Sequence, residues 1–199
     1  MKRLSQWIAV ILLVSFTALA RAAGEAPEVL VKRSMDEVLE AIKQTRDRAA
    51  LRKVAEEKVL PYFDFTDMTR LAVGIGWRKA TPEQQKALEE GFRSLLVNTY
   101  TNALISAGSA SRSIDVKPAA PSGSDSVVRT QVKENGKQPL AIDYRLHEKD
   151  GAWKIFDVTV EGVSLVSNYR TTFAEEVNKS GIDGLIKSLQ DRNRSLAKG

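Results

Sequence analysis

His147 is the single histidine of this chain and there is no cysteine, so the side chains that most often act as base, nucleophile or soft metal ligand near neutral pH are almost absent. Ser-His-Asp hydrolysis would need His147 as its base, and no G-x-S-x-G elbow occurs anywhere in the sequence. One histidine without thiolates is also a poor donor set for zinc or iron. His147 lies on the polar side of an alternating stretch, close to a turn, and reads as a solvated strand residue. Asp143 and Asp157 fall on neighbouring strands, where a cavity carboxylate can serve as a general base. Alternation places Asp143 opposite Ile142 and Tyr144, so both acids read as hydrogen-bonding or capping groups. Gly74-x-Gly76 has no strand before it and no third glycine, which makes it a helix end rather than a phosphate loop.

The richer pattern is apolar. Ile142, Tyr144, Phe156 and Val158 are expected to supply the sheet wall of an apolar cavity. Leu95, Tyr100, Leu104, Val166, Tyr169 and Phe173 are expected to supply its helical wall, with Val163 completing the set. Tyr100 and Leu104 widen one helix face beyond what a sheet covers, and a ligand cavity needs such an excess.

The elements that position these residues follow from local pattern. Leu140, Ile142, Tyr144 and Leu146 alternate with polar partners, the period of a half-buried strand. Asp150-Gly151 makes a hairpin turn, and Trp153 to Val160 is apolar on nearly both faces, as in a strand covered on two sides. Glu161-Gly162 breaks that strand, and a helix starts at Ser164 with Val166, Tyr169, Phe173 and Val177 along one stripe. Upstream, Val31, Met35, Val38 and Ile42 keep helical spacing, as do Leu51, Val54, Ala55 and Val59 up to Pro61. Asp64 caps a short helix through Leu71. Thr81-Pro82-Glu83-Gln84 is a capping box opening a helix to about Ser106. Ile114 to Val116 and Val128 to Val132 are strands, Pro118 to Ser126 is a loop, and Asn135-Gly136 is a hairpin signal. Ile182, Leu185, Ile186, Leu189 and Leu196 mark a last helix. The expected plan is α+β: a four-stranded antiparallel meander packed with helices, plus a small helical part.

Residues 1–22 stand outside this plan. Lys2 and Arg3, an apolar run from Trp7 to Leu19, and Ala20-Arg21-Ala22 read as a signal peptide cleaved between Ala22 and Ala23. The run is too short for a comfortable span of about 20 residues. Lys2, Arg3 and Arg21 would leave with it and no acid would, so the formal charge falls from +5 to +2. The remaining basic residues are interspersed with acids, so no nucleic-acid stripe is present.

Three blocks around the last hairpin carry a family resemblance: Trp153-Lys154-Ile155-Phe156-Asp157-Val158, Val160-Glu161-Gly162-Val163-Ser164-Leu165-Val166 and Asn168-Tyr169-Arg170. They are joined, in order, by Leu60 to Phe65, Trp77 to Gln84 and Gly181 to Leu185. The set resembles the MlaC family of periplasmic phospholipid-binding proteins, also called toluene-tolerance auxiliary proteins, over roughly residues 28 to 190. The resemblance implies an NTF2-like sheet-and-helix domain over residues 23–199, with a helical subdomain from about 28–80 and the sheet-plus-helix part from about 81–199. It implies a monomeric periplasmic carrier without cofactor or metal. Its cargo would be phospholipid, moved between an outer-membrane lipoprotein–porin complex and an inner-membrane ABC transporter complex to maintain outer-membrane lipid asymmetry. The alternative left open by the residues is a secreted NTF2-like enzyme using Asp157 or Asp143 as general base.

Overall fold

A computed structural model describes residues 25–45, 47–106, 112–122 and 124–198, without the side chains of 102–106, 112, 121 and 198. The expected signal peptide with its cleavage point, and the Leu104 side chain, lie outside the described residues.

Helix α1 (Pro27–Gln44) opens on a proline, whose missing N–H costs nothing at that position, and has Glu28 in its first turn and Lys43 in its last. Helix α2 (Arg48–Val54) is capped by Asp47, which accepts from the Ala50 N–H at 2.7 Å. It runs on through a π turn (Ala55–Val59) and a 3-10 turn (Leu60–Tyr62) containing Pro61. Asp64 caps α3 (Phe65–Val73) by accepting from the Asp67 N–H at 3.0 Å, and the helix goes two residues beyond the expected Leu71. The capping box forms as read: Thr81 Oγ1 accepts from the Gln84 N–H at 3.2 Å and Gln84 Oε1 from the Thr81 N–H at 3.0 Å, opening α4 (Pro82–Ser106). The two expected C-terminal helices both form, within the span α5 (Leu165–Lys198), and are separated at Gly181, whose backbone is non-helical with φ 72°.

The sheet is antiparallel and has six strands among the described residues, where four were expected. Strands β1 (Arg112–Val116), β3 (Asp125–Glu134), β4 (Leu140–Lys149) and β5 (Ala152–Val160) are the four expected ones. The additions are β2 (Ala120–Ser122), inside the segment read as a loop, and β6 (Val163–Ser164). Pro121 hid the first, since proline inside a run argues against a strand; here β2 pairs only with β3. Glu161-Gly162 hid the second. Both residues have positive φ (49° and 82°), so the pair acts as a hairpin turn and not only as a stop. The path runs β1-β3-β4-β5-β6.

One irregularity decides which way β5 faces. Arg145 pairs with Asp157 and Leu146 with Ile155, so Phe156 is an extra residue, a bulge. Ile155 and Val158 consequently pack in one apolar cluster while Phe156 packs in another. Helix α1 covers one face of the sheet and α3, α4 and α5 the other. A third, small cluster of Ala41, Ile42 and Leu51 joins α1 to α2. Residues 27–73 thus contribute to all three clusters.

Candidate functional site

The residues read as one cavity lining fall on both sides of the sheet. Ile142, Tyr144 and Val158 belong to the compartment under α1, with Leu30, Val31, Val128, Leu146 and Ile155. Phe156, Leu95, Val166, Tyr169 and Phe173 belong to the compartment between the sheet and α3–α5. Two members sit at its margins: Tyr100 is 36% exposed and Val163 56%. The bulge separates Phe156 from Val158, and a strict alternation over Trp153 to Val160 gave no warning of it.

The compartment among the helices is aromatic. Phe92 meets Tyr169 and Phe173 edge-on, with ring centroids 5.0 and 5.2 Å apart, and Tyr169 lies 5.5 Å from Phe173. Such contacts add to the area burial of the rings themselves. Burial pushes the Tyr100 and Tyr169 phenols up from their ordinary value.

The compartment under α1 is aliphatic and carries a few polar groups. Thr130 Oγ1 donates to the Ile142 carbonyl at 2.8 Å, and Ser34 Oγ to the Leu30 carbonyl at 2.9 Å. The Tyr144 hydroxyl donates to Met35 Sδ at 3.4 Å, and burial pushes its phenol well above the ordinary range. Arg33 ties α1 down at this edge. It donates to Glu25 at 3.0 and 2.6 Å and to the Tyr62 hydroxyl at 2.5 Å, with its guanidinium 4.9 Å from the Tyr62 ring centroid.

The carboxylates considered for chemistry are engaged by protein groups. Asp157 accepts from Ser164 Oγ at 2.6 Å and from the Val166 N–H at 3.2 Å, and Ser164 in turn caps α5 by accepting from the Ser167 N–H at 3.0 Å. Asp143 faces Arg129 at 3.7 Å on the outer side of β4.

His147 requires a correction. It is not a solvated strand residue: its ring stacks on Phe156 with centroids 4.9 Å apart, and its Nε2 lies 3.1 Å from Asp64 Oδ2. The start of α3 packs on this part of β4, and only the tertiary fold brings it there. Asp64 is buried; it also accepts from Lys149 Nζ at 2.7 Å, and its backbone N–H donates to the Ile155 carbonyl at 2.8 Å. Burial works to raise the Asp64 carboxyl, but the hydrogen bonds from Lys149 and the Asp67 N–H outweigh it and hold the carboxyl below its usual range. Beside this knot opens a cleft of about 400 Å³ lined by Phe63, Phe65, Arg93, Lys149 and Lys154 among others.

Among the described residues no cluster of three or more His, Asp or Glu is arranged to hold a metal ion. Nor, among them, is any helix long and apolar enough to cross a membrane. An antiparallel sheet with an apolar face under α1 and helices packed around Phe156 on the other defines an α+β protein with two apolar compartments. Residues 32–191 match the family model of the MlaC protein, and the chain belongs to that family.

Its relatives have informative names. It is 28% identical, over 94% of its own length and 89% of the relative's, to the toluene tolerance protein ttg2D of Pseudomonas putida. It is 24% identical, over 94% and 93%, to the intermembrane phospholipid transport system binding protein MlaC of Haemophilus influenzae. Among solved structures, the phospholipid-binding protein of Ralstonia solanacearum in complex with a phospholipid superposes with a TM-score of 0.79. That match has 34% identity and covers 87% of this chain and 99% of the other.

Proposed function

We propose that this chain is a periplasmic phospholipid carrier, taking acyl chains into its apolar interior and passing lipid between assemblies of the two envelope membranes. The observation that carries the reading is the sheet itself. It has an apolar compartment on each face, in a chain whose full-length structural relative is described with a phospholipid bound. The signal-like segment at 1–22 supports export, and engagement of Asp157 and Asp143 by protein partners favours binding over catalysis.

Acyl chains would enter most readily under α1. On its face of the sheet that helix is joined only by Tyr62, Phe63 and Leu165 among neighbouring helical and turn residues, whereas three helices interlock on the other. Two acyl chains carry some 30 methylenes, each about 0.8 kcal/mol out of water. The gross figure exceeds the ceiling of non-covalent affinity. Lipid drawn from a bilayer is already dry, however, so the net transfer is near balance. A carrier of this kind holds its cargo against water yet releases it to a docked membrane assembly.

Native mass spectrometry of the protein purified from a lipid-replete periplasm, with mass spectrometry of its organic extract, tests this. The expected result is close to one phospholipid per chain. A lipid-free protein that also takes up none from liposomes would overturn the reading.

A further inference from the structure

Tyr144 stands apart from the other hydroxyl-bearing residues around α1. Thr130 and Ser34 donate to carbonyl oxygens, and Tyr62 accepts from a guanidinium. The Tyr144 hydroxyl instead donates to a thioether, Met35 Sδ at 3.4 Å, and sulfur is a weak acceptor. A half-buried hydroxyl so partnered gains when a better acceptor arrives.

Position tells which acceptor. Leu146 and Val128, wholly buried, form the floor of the compartment. Tyr144, Met35, Ile142 and Val160 are each half-buried, so they line its rim. A bound diacyl lipid changes from apolar tail to polar head group at its ester linkages, and a rim of this character matches that boundary. Tyrosine, with an apolar ring and a polar tip, is suited to it.

Resting on the carrier reading above, we infer that the Tyr144 hydroxyl exchanges Met35 Sδ for an ester carbonyl oxygen of the bound lipid, and so selects acyl-ester over ether-linked cargo. Met35 lies on α1 and Tyr144 on β4, so the exchange accompanies entry of lipid between helix and sheet. The thioether serves as a place-holder, keeping the hydroxyl partnered in the empty protein.

The test is a competition. Purified protein is mixed with vesicles holding equal amounts of dipalmitoyl and di-O-hexadecyl glycerophosphocholine, which differ only in the carbonyls, and captured lipid is quantified by mass spectrometry. The wild type should take the diester by about fivefold, the worth of one neutral hydrogen bond. Tyr144→Phe, which removes one oxygen and keeps the ring, should capture the two equally. Met35→Leu, which removes the competing acceptor, should be at least as selective as the wild type. A wild type that captures both lipids equally, or a Tyr144→Phe variant that keeps the preference, overturns the assignment and leaves the carrier reading standing. Capture of neither lipid by the wild type overturns both.

Discussion

At the scale of single residues, buried polar groups in this protein fasten elements together. Asp64 is the strongest case, joining the start of α3 to β4 through His147 and Lys149. Its carboxyl is held below the usual range, so the unfolded chain binds the proton more readily than the folded one. The stabilisation is therefore complete at neutral pH and is lost as the pH falls below the ordinary carboxylate range. Asp64→Asn keeps a capping oxygen but loses the charge. It should cost about 2 kcal/mol at pH 7, and the deficit should shrink toward pH 3. Urea unfolding of both proteins across that range measures it; a deficit constant with pH would refute the assigned role. None of this was legible in the sequence beyond Asp64 as a helix cap. His147 and Asp64 are 83 residues apart, and local alternation carries no information about what packs on a strand's outer face.

Between residues and fold, the local signals performed well where the chemistry is local. The capping box at Thr81, the caps at Asp64 and Ser164 and the Asp150-Gly151 turn all form where side chain and backbone interact within a few residues. Strand edges were less legible. β2 contains a proline and β6 has two residues, so neither shows a periodic pattern. Helix pairing was also hidden, although one residue signals it in retrospect. Gly91 lies where α4 meets the second half of α5, and a Cβ there would stand 3.1 Å from the Leu189 Cβ. Asn193 Nδ2 also donates to the Gly91 carbonyl at 2.8 Å. Gly91→Val should destabilise by about 2 kcal/mol through overpacking, despite valine's better helix propensity. A thermal midpoint equal to the wild type's would show that the crossing has slack.

Taken whole, the molecule is a sheet with unequal covers. Three helices share one face and brace each other through the Phe92, Tyr169 and Phe173 rings, while α1 covers the other and is held at its edge by Arg33. The sequence reading puts its apolar residues on one side of the sheet, whereas they divide between two clusters, because an alternating strand cannot announce a bulge. If α1 is the cover that lifts, Arg33→Ala should speed transfer of a fluorescent phospholipid to acceptor vesicles by about fivefold, for about 1 kcal/mol less holding it down. The Arg33 ion pairs are partly exposed to solvent, so the thermal midpoint should change little. An unchanged transfer rate would move the entrance elsewhere. The bulge at Phe156 has a further consequence. Strand β5 has, in effect, a reading frame: Trp153 and Ile155 before the extra residue and Val158 and Val160 after it address the same compartment. Losing the extra residue would leave Ile155 and Val158 two apart on a regular strand, both still on the α1 side; what would be lost is the aromatic ring that Phe156 sends into the helical compartment. The strand's reach into the second compartment is thus carried by its one irregular residue.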